Sequence, residues 1–226
     1  MTVSFLEQRL ADVPGDDDWL GPAEREVLRG LTVAKRRAQW RLGRWTAKQA
    51  LVSATPGLPR RGTALEIRAA DDGAPQAFVG SRPLRWALSL SHRDDRGVCA
   101  LAPAHRAVGC DLERIEPRSE AFVADVFTEA ERARLPAEGR ARWRLVAAQW
   151  SAKESLLKAL RVGLRRDTRS VAVCSIEPPN AEGWGPLQVE DHASGRRWPG
   201  WWRPTDDHVL TVVGSSLARR PRALLR

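Results

Sequence analysis

The chain has 226 residues, 42% hydrophobic and 29% charged, a composition that excludes a disordered chain and allows one large domain or two small ones. Lysine and arginine number 37 against 28 aspartates and glutamates, and the net charge of +9 favours a polyanionic partner such as nucleic acid, a phosphorylated cofactor or an acidic protein surface. A solvated, arginine-rich surface gives the same surplus, so charge alone does not choose among these partners.

The residue inventory excludes several chemistries. The chain has 3 cysteines without CxxC spacing, no tyrosine, and 4 histidines in no HExxH arrangement, which argues against a disulfide framework, a cysteine-rich zinc site and histidine-triad chemistry. No apolar run approaches the roughly 18 residues of a membrane helix, and the first 19 residues are acidic where a secretory signal is basic and then apolar. We therefore expect a cytoplasmic protein with no membrane contact.

The first half of the chain predicts one long helix and several strands. Apolar residues recur at three- and four-residue steps over 32–54 and stop before Pro56, which predicts an amphipathic helix with a basic opposite face. Short strands are predicted at 65–68, 86–91, 97–102 and 106–113.

The second half predicts helices first and strands afterwards. A helix is predicted to begin at Ser119 and pause near 127, where Thr128 and Glu131 occupy the positions of a capping box. A long helix follows over 137–161. The predicted strands are 170–177, 187–191, 196–203 and 208–214, with the tryptophan-rich segment 198–202 expected in the core.

The two long helices carry a short repeat of each other. Residues 45–51 (WTAKQAL) align with residues 150–156 (WSAKESL), and neutral Gln49 in the first copy corresponds to Glu154 in the second. The repeat favours an α/β (α+β) fold of two similar halves, residues 1–105 and 106–218, related by a pseudo-twofold axis with a cleft between them. Residues 219–226 are expected to form a loosely ordered basic tail. A chance likeness between two helices is the alternative.

Asp111 and Glu113 are candidate ligands of a metal ion. They are two residues apart on a predicted strand, so their side chains leave the same face. Two carboxylates held close together favour a hard cation with oxygen ligands between them, most simply Mg²⁺. An exposed strand face that pairs with arginines is the alternative.

Trp150, Glu154 and Lys158 are predicted to lie along one side of the long helix, because they are spaced four residues apart. This stripe supplies an aromatic anchor, a carboxylate and an ammonium group. An ordinary helical ion pair beside a core tryptophan is the alternative.

Basic and polar residues of the first half are candidate phosphate contacts. Ser91 and His92 follow an apolar strand where it opens into a loop, and Arg37, Arg44 and Lys48 lie on the basic helix face. A structural histidine and a solvated helix face are the alternatives.

Taken in chain order, these motifs resemble the 4′-phosphopantetheinyl transferases of the surfactin-synthetase-activating (Sfp) type. The resemblance covers roughly residues 20–175 and is most specific in GCDLE at 109–113 and WSAKESLLK at 150–158. It implies two similar α/β halves in one monomeric chain. It also implies Mg²⁺-dependent transfer of 4′-phosphopantetheine from coenzyme A to a serine of an acidic acyl, peptidyl or aryl carrier protein, with release of adenosine 3′,5′-bisphosphate.

The resemblance also implies roles for individual residues. Asp111, Glu113 and Glu154 would hold the magnesium, Glu154 would act as or position the base for the incoming serine, and Lys158 would steady the pyrophosphate. The implied contacts to coenzyme A are Arg37, Arg44, Lys48, Ser91, His92, Asp111 and Lys158.

Two residues differ from the pattern of the family, and two other functions are alternatives to this hypothesis. Ala74 stands where many relatives have a lysine, and Arg93 stands where a small residue is usual. A nucleic-acid-binding module that uses the basic helix is one rival, although three converging carboxylates would repel a phosphate backbone. A relative that binds coenzyme A without turnover is the other. The sequence does not choose among fatty acid, polyketide and nonribosomal peptide assembly.

Overall fold

The computed structural model describes residues 2–58 and 63–225. The chain divides into two compact units, residues 1–105 with 222–226, and residues 106–221. The α-helices of the described residues are α1 (Pro22–Gly30), α2 (Ala34–Ala54), α3 (Glu120–Val126), α4 (Glu129–Arg132) and α5 (Gly139–Ala159). The strands of the same residues are β1 (Ser4–Arg9), β2 (Leu65–Ala69), β3 (Pro75–Val79), β4 (Arg82–Pro83), β5 (Trp86–Arg93), β6 (Arg96–Pro103), β7 (Val108–Arg114), β8 (Val171–Ile176), β9 (Gly185–Asp191), β10 (Arg196–Pro204), β11 (His208–Gly214) and β12 (Arg222–Ala223).

The first unit packs α2 onto a sheet of order β12-β1-β6-β5. β5 and β6 form an antiparallel hairpin, β1 runs antiparallel to β6, and β12 adds to β1 in parallel. A second small sheet of order β2-β3-β4 contributes Leu65, Ile67 and Ala77 to the core beneath α2. The apolar face of α2, including Ala47 and Leu51, closes that core.

The second unit packs α5 onto an antiparallel sheet of order β7-β11-β10-β9-β8. β7 and β11 are paired so that Asp111 lies opposite Thr211 and Glu113 opposite Val209. Trp198 and Trp202 of β10 are buried against α5, as expected for the tryptophan-rich segment.

The mixed α+β class and the long helices and strands predicted from periodicity are confirmed, with boundary differences of a few residues. The prediction for the basic tail is wrong at Arg222 and Ala223, which pair with Ser4 and Phe5 of β1. The tail segment adds to an open sheet edge, and backbone hydrogen bonding at an edge depends little on side-chain pattern. No helix among residues 2–58 and 63–225 is both long and apolar enough to cross a membrane.

Candidate active site

Gly109 allows α5 to approach β7 closely. A Cβ atom at this glycine would lie 1.8 Å from the carbonyl oxygen of Ser155 and 2.8 Å from the backbone nitrogen of Ala159. Alternation along a strand places Asp111 and Glu113 on the same face of β7 as Gly109, toward α5. The close approach therefore brings the two carboxylates of the strand to the helix.

Lys158 of α5 lies between two carboxylates. Its Nζ is 2.6 Å from Oδ1 of Asp111 and 3.8 Å from Oε2 of Glu154, and it also donates to the carbonyl oxygen of Cys110 at 3.3 Å. The Asp111 side chain is 3% exposed and that of Glu154 16%, so both carboxylates interact with the ammonium where water screens them weakly. The structure thus brings Asp111, Glu154 and Lys158 together, as the sequence predicts.

Glu113 lies beside this cluster and is oriented by two donors. Trp150 Nε1 donates to Oε1 of Glu113 at 3.2 Å, and Arg118 Nη2 donates to Oε2 at 3.4 Å. Arg118 also pairs with Glu116 at 3.0 Å and lies over the ring of Phe122. Trp150 and Arg118 therefore fix the direction of the Glu113 carboxylate.

The charges of the cluster perturb one another. Burial, followed by repulsion from Asp111, raises the pKa of Glu154 from its ordinary value of 4.5 to about 7, against the lowering effect of Lys158. Burial alone would lower the pKa of Lys158, but Asp111 and Glu154 outweigh it and raise that pKa. Glu154 is consequently a carboxylate that exchanges a proton near neutral pH, as a general base requires.

The chemistry of the cluster suits a hard divalent cation. Asp111, Glu113 and Glu154 offer only oxygen donors, and two of them already converge on one positive charge, the Lys158 ammonium. Among residues 2–58 and 63–225 no three acidic, cysteine or histidine side chains are grouped as a metal site in this arrangement. The oxygen-only donor set of these carboxylates nevertheless fits a hard divalent ion.

Lys153, which precedes Glu154, forms a buried clamp that the sequence analysis did not predict. Its Nζ is 2.7 Å from Oε2 of Glu131 and 2.7 Å from the carbonyl oxygen of Val126. Glu131 also accepts from the backbone N–H groups of Thr128 and Val173. The capping box at Thr128 can be recognised in the sequence. The second role of Glu131, which is to anchor α5 to α4 and β8, depends on tertiary packing.

The first unit contains the same clamp. Lys48 Nζ is 2.6 Å from Oε2 of Glu24 and 2.7 Å from the carbonyl oxygen of Trp19, and Glu24 accepts from the N–H groups of Gly21 and Ile67. The repeated heptapeptide therefore reflects repeated geometry. Lys48 is buried and engaged in this clamp, an arrangement that favours a structural role over the predicted phosphate contact.

The other predicted coenzyme A contacts lie on α2 and β5 of the first unit. Arg37 donates to Asp17 and to the carbonyl oxygen of Leu28, while Arg44 lies over the Trp40 ring and burial lowers its pKa. Ser91 and His92 lie near the turn of the β5–β6 hairpin, where Ser91 is half-buried and His92 is exposed. Their contact with coenzyme A stays a prediction.

A comparison with protein families bears directly on the second unit. Residues 107–213 match the family model of the 4′-phosphopantetheinyl transferase superfamily, ACPS. The matched range runs from the residue before β7 to the second-last residue of β11 and includes Asp111, Glu113, Glu154 and Lys158. The match shows that this part of the chain is similar to that superfamily, without separating the Sfp type from its other members. A search of curated proteins found no match.

Proposed function

We propose that this protein transfers the 4′-phosphopantetheine group of coenzyme A to a serine hydroxyl of an acyl, peptidyl or aryl carrier protein, in the manner of the Sfp-type transferases. The convergence of Asp111 and Glu154 on one cation, within the range that matches the superfamily, carries this proposal. Adenosine 3′,5′-bisphosphate is the second product.

The reaction forms a bond between the serine oxygen and the phosphorus that bears the pantetheine arm. The bond from that phosphorus to the bridging oxygen of the diphosphate breaks, and the serine proton passes to a base. We assign Glu154 as that base or as the residue that positions it, because its carboxylate lies in the cluster with Asp111 and Lys158, where burial and Asp111 raise its pKa to about 7 in the absence of metal. Its carboxylate lies 3.8 Å from Lys158 and so keeps a cation nearby as negative charge moves to the leaving phosphate.

Asp111, Glu113 and Glu154 would hold the magnesium ion. When bound, Mg²⁺ neutralises charge on the phosphate oxygens. Trp150 and Arg118 keep Glu113 directed, so that its oxygens are available with little reorganisation. Lys158, released from Asp111, would contact the diphosphate.

The positive charge of the chain suits both substrates, because coenzyme A is polyanionic and an acidic carrier protein is steered by a basic surface. Within the first unit, Arg44, Ser91, His92 and Arg37 are proposed to bind coenzyme A. Lys48 is a weaker candidate because it pairs with buried Glu24.

Measuring the mass of the carrier protein tests the proposal. The chain, Mg²⁺, coenzyme A and an apo carrier protein are incubated, and the carrier is expected to gain one phosphopantetheine arm. Asp111→Asn and Lys158→Ala should each slow this gain by about 100-fold or more, since each removes a charge from the reacting site. Glu190→Gln is the matched control, because Glu190 pairs with Arg197 in an exposed ion pair on the same sheet. An unmodified carrier, together with salt-sensitive DNA binding that survives chelation of metal, would favour the nucleic-acid-binding rival.

A further inference from the structure

Three hydroxyl groups meet in the buried layer between α5 and β11. Thr211 Oγ1 lies 2.8 Å from Ser151 Oγ and 2.7 Å from Ser155 Oγ, and none of the three residues is exposed. Ser151 Oγ also lies 3.1 Å from the carbonyl oxygen of Asp111. Such groups are costly to bury unless each is bonded, and here all three are.

The bonds can be assigned a direction because each hydroxyl has one proton. A carbonyl only accepts, so Ser151 donates its proton to Asp111. Thr211 must then donate to Ser151, and Ser155 must donate to Thr211, with the Thr211 carbonyl at 3.3 Å as a weaker second acceptor. The result is a single chain from Ser155 through Thr211 and Ser151 to the backbone of Asp111.

This hydroxyl chain ties α5 to β7 at the level of the carboxylates. Ser151 and Ser155 lie on either side of Glu154 in the sequence of the helix, and the chain ends on the residue that carries the Asp111 carboxylate. Lys158 adds a second tie through the carbonyl oxygen of Cys110. The position of α5 along β7 determines the distance between the carboxylates of Glu154 and Asp111.

The corresponding positions of the first unit are built differently. Thr46, which aligns with Ser151, donates to the Leu42 carbonyl of its own helix at 2.8 Å, and Ala50, which aligns with Ser155, has no hydroxyl. Gln49 there replaces Glu154. The Ser155–Thr211–Ser151 arrangement therefore accompanies the carboxylates and is not required by packing a long helix on a sheet.

We propose that Thr211 is a positioning residue that sets the spacing of the Asp111 and Glu154 carboxylates and thereby the affinity for a divalent ion. This inference rests on the proposed function. Thr211 is fully buried and acts through Ser151, and among the three hydroxyl residues it is the one that bonds to both of the others.

Titration of the full-length chain with Mn²⁺ alone, followed by electron paramagnetic resonance of the free ion, tests this role without turnover. Thr211→Val replaces the hydroxyl with a methyl of similar size, and its dissociation constant for Mn²⁺ should rise about 10-fold. Thr211→Ser, which keeps the hydroxyl, should bind within about 2-fold of the wild type. Ser151→Ala removes both the bond to Thr211 and the bond to the Asp111 carbonyl oxygen, so it should weaken Mn²⁺ binding at least as much as Thr211→Val, and the double variant should be no weaker than Ser151→Ala.

Thr46→Val is the matched control, because it removes an equally buried hydroxyl from α2 and should leave Mn²⁺ binding unchanged. Thermal unfolding of each variant establishes that it is folded at the titration temperature. Unchanged Mn²⁺ binding by folded Thr211→Val would overturn this inference and leave the proposed function standing. Absence of phosphopantetheine transfer by a wild-type chain that binds Mn²⁺ would overturn the proposed function alone, and absence of any Mn²⁺ binding would overturn both.

Discussion

Replacing Glu154 with glutamine should make the protein more stable at alkaline pH in the absence of metal. The folded-state pKa of Glu154 is about 7 against an ordinary value of 4.5, so between these values the folded chain holds a proton that the unfolded chain releases. The resulting stability is fully present below pH 4.5 and is lost as the pH rises through 7. Since one pKa unit corresponds to about 1.36 kcal/mol, the loss amounts to about 3 kcal/mol at pH 8.

Urea unfolding at pH 5, 6, 7 and 8 in the presence of a chelator measures this effect. The free energy of unfolding of Glu154→Gln, relative to the wild type, should increase by about 2.5 kcal/mol from pH 5 to pH 8, because part of the loss has already occurred at pH 5. Glu182→Gln is the control. Glu182 is exposed, and its hydrogen bond with Arg220 lowers its pKa. Its contribution to the free energy of unfolding is therefore lost only as the pH falls below 4.5. The difference in unfolding free energy between Glu182→Gln and the wild type should stay nearly constant from pH 5 to pH 8. A Glu154→Gln difference that does not change with pH would refute the electrostatic account of the cluster.

Three further predictions concern packing and backbone geometry. Gly109→Ala should lower the free energy of unfolding by about 3 kcal/mol and abolish transfer, because its Cβ would overlap the Ser155 carbonyl oxygen. Urea unfolding measures the first effect, and the mass of the carrier protein after incubation measures the second. Arg161 has a φ of 61° just after α5, so Arg161→Gly should raise the free energy of unfolding by about 0.5–1 kcal/mol, and a lower value would contradict this. Lys153→Met should cost about 3–5 kcal/mol because it leaves Glu131 buried without its cation, and the double variant with Glu131→Gln should recover part of that loss in the same unfolding assay.

Local signals predicted much of the second unit. The periodicity of α5 and the capping box at Thr128 are encoded within a few residues of the elements they specify, and the structure has them. The two-residue spacing of Asp111 and Glu113 likewise places both side chains on one face of β7. These features depend on residues that are close together in the chain.

Among the elements of the first unit that were not predicted, β1 depends on a distant partner, whereas α1 has a local signal. β1 at Ser4–Arg9 has no clean alternation of apolar residues and is held by pairing with β6, far along the chain. The local signal of α1 in the sequence is Pro22 in its first turn and Glu24 two residues later.

Lys48 and Thr211 also have environments that distant residues determine, and the sequence did not predict them. Lys48 lies on a helix face rich in arginine, and only the fold reveals that Glu24 reaches its ammonium. Thr211 lies in a strand without any recognisable motif, and its importance follows from its register opposite Asp111 and from two serines on α5. Tertiary contacts of this kind have no short-range sequence signature.

A crystal structure of the protein grown with Mn²⁺ and coenzyme A, with anomalous data collected at the manganese edge, tests the central claim most directly. We predict an anomalous peak coordinated by the carboxylates of Asp111, Glu113 and Glu154, with the Lys158 ammonium moved from Asp111 toward the diphosphate. A map without such a peak, in which Lys158 keeps its ion pair with Asp111 while coenzyme A is bound elsewhere, would contradict it.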